Sequence, residues 1–151
     1  MPRIKIIYGT GGGNTELVCE RATEVFKEEG HTVTLVQAKT ATPADMGGAD
    51  LLILASPTYG HGLLEKYIGN LIAASGGVDL KGQKCAVVGL GNAMYDDDYF
   101  LEAGKILKKF IEDHGGTLVY EVLFVAKSPI PYLAEKVPEW ARAVSSKLKN
   151  A

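Results

Sequence analysis

Two apolar runs, LLILA at residues 51–55 and CAVVG at residues 85–89, carry no polar residue in alternation. A strand with one face in water alternates apolar and polar residues, so a continuous run of strand length belongs to a strand covered on both faces. Such strands sit in parallel sheets between layers of helix. The rest of the chain agrees. Strand-like runs at residues 3–8, 32–37, 50–56, 84–89 and 117–125 are bounded by Gly, Pro or polar residues. Between them lie segments of helical period: Val18, Ala22, Val25 and Phe26; Leu64, Tyr67, Ile68, Leu71 and Ile72; Ala103, Ile106, Leu107, Phe110 and Ile111; and, at the end, Val137, Ala141, Val144 and Leu148. Strand alternating with helix predicts an α/β fold: a doubly wound, five-stranded parallel sheet with right-handed crossovers and helices on both faces. Residues 38–48 are too short and polar for a helix and read as a loop with at most one turn at residues 43–46. Pro138 is expected to kink the last helix or to open it. With 151 residues and no repeat or linker, residues 1–151 read as one domain.

A formal net charge of −2 argues against a nucleic-acid binder, which needs basic surface to neutralise phosphates. No apolar run approaches the roughly 18 residues of a membrane span, and MPRIKIIYG reads as a strand without a signal-peptide cleavage region. A cytoplasmic protein with no membrane partner is expected. The two cysteines, Cys19 and Cys85, are far apart and in no metal-binding spacing, so they read as small core residues and no metal site is expected.

In an open parallel sheet, ligands bind beyond the carboxyl ends of the strands, where the strand order reverses. Three loops fall there: residues 9–14, 57–62 and 90–98, all rich in Gly, Asn, Tyr or Asp. The first lies in YGTGGGNT, with four glycines in eight residues. It joins a strand to a helix, so its amides and the first free N–H groups of the helix converge on one point, an anion site whose dipole contributes about 0.3–2 kcal/mol. Thr10, Asn14 and Thr15 add side-chain donors. A P-loop requires a Lys that is absent here. A dinucleotide fingerprint requires GxGxxG and an acid closing the second strand, where this chain has Asn14 and Gln37.

IIYGTGGGNTE resembles the phosphate-binding loop of flavodoxins, a strand followed by [ST]-x-[TS]-G-x-T, and ASPTYGHG and VVGLGNAMYDDDYF resemble that family's two isoalloxazine loops. The likeness runs over nearly the whole chain, with the spacing of the short-chain type. It implies the strand order 2-1-3-4-5, non-covalently bound FMN, and one-electron transfer between redox partner proteins by a monomer that turns over no substrate of its own. It also implies site residues. Thr10, Gly11, Gly12, Gly13, Asn14 and Thr15 would hold the phosphate. Ser56, Pro57, Thr58, Tyr59, Gly60, His61 and Gly62 would form one ring loop, with Tyr59 covering a face of the flavin. Gly89, Leu90, Gly91, Asn92, Tyr95 and Asp98 would form the other, with Tyr95 stacking on the opposite face. In flavodoxins the residue matching Gly60 turns its carbonyl toward flavin N5 on one-electron reduction, and glycine supplies the freedom for that.

Two departures stand out. Gly11 and Gly12 replace the hydroxyl residues usual in the family, and each lost bond to a charged group is worth about 1.5–3 kcal/mol, so FMN is expected to be held more weakly than in a typical flavodoxin. His61 stands where several flavodoxins have an acid, and an imidazole there would tie the reduction potential to pH. Asp96, Asp97 and Asp98, beside Tyr95, would disfavour an anionic two-electron-reduced flavin by roughly 4 kcal/mol each at 4 Å and an effective dielectric of about 20. Tyr8, Tyr67, Tyr120, Tyr132 and Trp140 are expected to be buried, His31 to open the second strand, and His114 to sit at a helix end. An FMN-dependent NAD(P)H oxidoreductase is the alternative function. A receiver-like signalling module is excluded because Gly9 and Pro57 stand where its acids are required.

Overall fold

The computed structural model describes residues 2–9, 13–59, 63–91, 102–125 and 129–149. Its strands are β1 (Arg3–Tyr8), β2 (Thr32–Gln37), β3 (Leu51–Tyr59), β4 (Leu63–Leu64), β5 (Lys84–Leu90), β6 (Thr117–Leu118) and β7 (Leu123–Val125). The helices are α1 (Asn14–Glu28), α2 (Lys66–Ala74), α3 (Glu102–Asp113), α4 (Ile130–Ala134) and α5 (Lys136–Lys149), with a 3-10 turn at Pro43–Met46. The sheet order is β2-β1-β3-β5-β6, with β7 also parallel to β5. This is the expected 2-1-3-4-5 order, except that the fifth strand is two short pieces.

The continuous apolar runs serve two cores at once, because successive side chains leave a strand on opposite faces. Ile4, Ile6, Leu51, Ile53 and Ala55 pack with Val18, Phe26, Trp140 and Val144 of α1 and α5. Ile7, Leu52, Leu54 and Val87 pack with Ile68 and Leu71 of α2, Leu107 and Ile111 of α3, and Met46. In-register pairing of β1 with β3 (Ile4↔Leu51) and of β3 with β5 (Leu52↔Cys85) keeps both layers aligned. Burial pushes both thiols up, that of Cys85 to about 12.

The fifth strand breaks because backbone groups between its halves bond elsewhere. The Val119 N–H still donates to the Cys85 carbonyl at 3.0 Å, but the Glu121 carbonyl accepts from the Trp140 indole at 2.8 Å. β5 and α3 meet through two glycines. A Cβ on Gly89 would lie 2.6 Å from Gly104 Cα, and a Cβ on Gly104 would meet the Phe124 ring at 2.7 Å. Pro138 lies in the first turn of α5, and α4 precedes it as a separate short helix. His31 lies immediately before β2, and both ring nitrogens of His114 face carbonyls, those of Phe110 (2.7 Å) and Gly76 (3.3 Å). Burial of the aromatic residues is only partly as expected. Tyr8 and Trp140 are buried, but Tyr67 and Tyr120 are each 37% exposed, because both lie on rims of the sheet-helix layers instead of on the core stripe. No helix among the described residues is long and apolar enough to cross a membrane, and no metal-holding group of three His, Cys, Asp or Glu residues occurs among them.

Candidate functional site

β1 ends in the middle of the sheet, where the Gly9 N–H donates to the Ala55 carbonyl of β3 at 3.0 Å. α1 starts at Asn14 after Gly13, whose φ of 85° is open to glycine and strained for other residues. Gly13 has no side chain to cap the helix, and the first intrahelical bond runs from the Leu17 N–H to the Gly13 carbonyl at 3.0 Å. The amides ahead of Leu17 therefore have no carbonyl within the helix to bond. Beside them Thr15 is 1% exposed, and its Oγ1 has no hydrogen-bond partner among the described residues. Burying a hydroxyl without a partner costs about 1–3 kcal/mol. A helix head without a side-chain cap, beside a buried hydroxyl that has no partner among the described residues, has the donor set for a phosphate group, so this part of the chain fits the FMN phosphate. Asn14 is exposed at the same helix end. Thr10, Gly11 and Gly12 lie outside the described residues.

The second loop follows β3, which runs three residues further than its sequence pattern suggests. Thr58 and Tyr59 pair antiparallel with Leu64 and Leu63, so Leu64 belongs to a hairpin and α2 starts only at Lys66. Tyr59 is 37% exposed, and its phenol is held above the usual tyrosine range by burial and by the charge of Glu65. Ser56 is buried; its hydroxyl donates to the Pro57 carbonyl at 2.8 Å and accepts from the Glu65 N–H at 3.1 Å. Thr58 is also buried, and its Oγ1 accepts the Ala103 N–H at the start of α3 at 3.1 Å. These two hydroxyls hold the framework under the loop. Gly60, His61 and Gly62 lie outside the described residues.

Glu65 was not singled out from sequence. It is 4% exposed, and its Oε1 accepts from the amides of Tyr67 (2.9 Å) and Ile68 (3.0 Å), capping α2. Gly9 presses against it so closely that a Cβ there would collide with the carboxylate. Glu65 thus ties the Gly9 end of β1 to the second loop and to α2. The available signal was an acid immediately ahead of the helical run Tyr67, Ile68, Leu71 and Ile72.

In the third loop, Gly89 and Leu90 are the last residues of β5, and Leu90 is buried in the α1/α5 core. The space beside Gly89 is taken by Gly104. Gly91 follows, its N–H donating to the Val125 carbonyl at 2.8 Å. Asn92, Tyr95 and Asp98, with Asp96 and Asp97, lie outside the described residues. The structure therefore brings Gly13, Asn14, Thr15, Ser56, Pro57, Thr58, Tyr59 and Gly91 to the carboxyl end of the sheet, while Gly89 and Leu90 sit within it.

A doubly wound sheet of this order, with a glycine loop leading into the head of α1, defines a flavodoxin-like α/β domain. The chain belongs to the flavodoxin family: the family model described as Flavodoxin matches residues 6–140. The flavodoxin of Maridesulfovibrio salexigens is 27% identical over 152 residues, covering 98% of this chain and 100% of the relative. The probable flavodoxin 2 of Bacillus subtilis is 26% identical, covering 97% of each. The crystal structure of oxidised flavodoxin 2 from Bacillus cereus superposes with a TM-score of 0.89 at 29% identity, covering 96% of this chain and 99% of that one. The chain is of the short-chain type, and its family is one of FMN-binding electron-transfer proteins.

Proposed function

We propose that this protein is a one-electron carrier that holds FMN without a covalent bond and shuttles electrons between redox partner proteins, working as a cytoplasmic monomer. The observation that supports it most is the buried Thr15 hydroxyl, without a partner among the described residues, at the head of α1. When bound, FMN supplies the redox chemistry; the protein's part is to hold and tune it. In this reading Thr10 to Thr15 bind the phosphate. Tyr59 and Tyr95 cover the two ring faces, Gly60 supplies a backbone carbonyl to the ring, and Asn92 and Asp98 line the ring edge with Gly91. Leu63, 66% exposed beside Tyr59, gives partners an apolar contact next to the ring.

The test is stepwise reduction of the purified protein under argon with FMN present, followed by visible absorption. A yellow protein that passes through an accumulating one-electron-reduced form supports the reading. A protein that stays colourless on mixing with FMN contradicts it. Rapid oxidation of NADH or NADPH by the protein alone would replace the carrier with a reductase.

A further inference from the structure

Tyr67, expected in the core, lies exposed on a groove between the end of β2 and α2. Two adjoining pockets, of about 220 and 230 Å³, share Ala38, Lys39 and Tyr67 and extend from Gly9 to Pro43 and Ala74. Two ammonium groups from different elements sit over the one ring: Lys39 Nζ at 5.8 Å and Lys66 Nζ at 5.6 Å from its centroid. A cation held against an aromatic ring is already positioned, which reduces the ordering cost of binding an anion.

Among the described residues neither Lys39 nor Lys66 has a carboxylate within 4.0 Å, as is true of most lysines of this chain; what sets these two apart is that both lie over one ring. Lys66 is also the first residue of α2, the end where the helix dipole disfavours a cation. The nearby Glu65 carboxylate is buried and bonded to the Tyr67 and Ile68 amides, so it serves the helix and not the lysines.

We propose that this groove docks an acidic segment of a redox partner protein, with its carboxylates on Lys39 and Lys66 and its backbone along α2 toward Asn70. The proposal rests on the carrier reading for the partner's identity. An open groove that follows α2 from Tyr67 to Ala74 suits an extended polypeptide better than one compact anion. Exposed tyrosines are favoured at protein interfaces for their area and low entropy cost. The groove begins at Gly9, so a segment anchored there holds its protein beside the candidate FMN site. Opposite charge at such a contact chiefly raises the encounter rate and sets orientation, which suits transient electron transfer.

The test is fluorescence anisotropy of a fluorescein-labelled peptide of alternating Glu and Ala, titrated with the purified protein in FMN-containing buffer at low ionic strength. Lys39→Gln/Lys66→Gln is expected to weaken binding about fivefold or more, and Lys108→Gln/Lys109→Gln on α3 to leave it unchanged. No peptide binding by the unmodified protein, or equal losses in both double variants, would overturn the proposal. Inorganic pyrophosphate binding more tightly than the peptide at the same ionic strength would assign the groove to a small anion and also overturn it. The readout needs no electron transfer. A protein that reduces in one-electron steps but ignores the peptide refutes the docking site alone, and one that binds the peptide but not FMN refutes the carrier alone.

Discussion

Two buried side-chain atoms have no hydrogen-bond partner among the described residues, Thr15 Oγ1 and His31 Nδ1, and they lie at opposite ends of α1. They are not equivalent. His31 is enclosed by α1 and α5: its Nε2 lies 2.7 Å from Ser145 Oγ, and the Phe26 ring meets it edge-on at 6.2 Å. With Nε2 donating to Ser145, all that Nδ1 leaves unused is one lone pair, the less costly kind of orphan. Thr15 leaves both a donor and its lone pairs without a partner among the described residues, at a helix end whose first amides have no carbonyl within the helix to bond. An unpartnered buried atom therefore points more strongly to a ligand at a helix head, where the first amides have no intrahelical acceptor. The His31 end is a joint closed between two helices, and the Thr15 end is a helix head.

The largest expected effect that separates the two ends is that of Thr15→Val, which keeps the shape and removes the hydroxyl. FMN affinity should fall by about 1.5–3 kcal/mol, the worth of a bond to a charged group. Stability without FMN should hold or rise, since an unmet polar atom has gone. Urea unfolding with and without FMN measures both, and a parallel loss of stability would make Thr15 structural like His31. Glu65→Ala removes the cap of α2 and the wall against Gly9. It should cost about 1–2 kcal/mol of stability even without FMN, with Glu65→Gln costing less because an acceptor remains. An unchanged unfolding midpoint in Glu65→Ala would show that the second loop does not depend on this joint.

At the closed end the effect is smaller and depends on pH. Burial, then the charge of Lys149, holds the His31 imidazole below its ordinary value of 6.5, with Glu29 acting in the opposite direction. Below about pH 6.5 the unfolded chain therefore takes up more protons at this residue than the folded one, so stability falls as the pH falls through that range and is unaffected well above it. His31→Leu should flatten that part of the stability profile and leave FMN affinity unchanged. A profile as steep as before would remove His31 from the account.

The sheet was legible because LLILA and CAVVG have only one physical reading, burial on both faces, and strand order then follows from the family's topology. The break in the fifth strand was not legible, because the Trp140 indole that takes the Glu121 carbonyl comes from a helix nineteen residues away. The three loops at the carboxyl ends of the strands were legible through their glycines. The uses of Ser56 and Thr58 were not, since their partners, Glu65 and Ala103, are fixed by tertiary packing. Gly89 looked like a ligand contact and is explained by the crossing with Gly104, another long-range fact. Tyr67 matched the apolar period of α2 but falls at the edge of its buried stripe, and only the solvent boundary shows that.

The most direct measurement is a comparison of FMN with riboflavin, which has the same ring system and no phosphate, by fluorescence titration of the flavin-free protein. A socket built from the head of α1 and the Thr15 hydroxyl predicts that riboflavin binds at least about tenfold more weakly than FMN. Equal affinity for the two would contradict the account, because the phosphate would then find nothing at the end of β1.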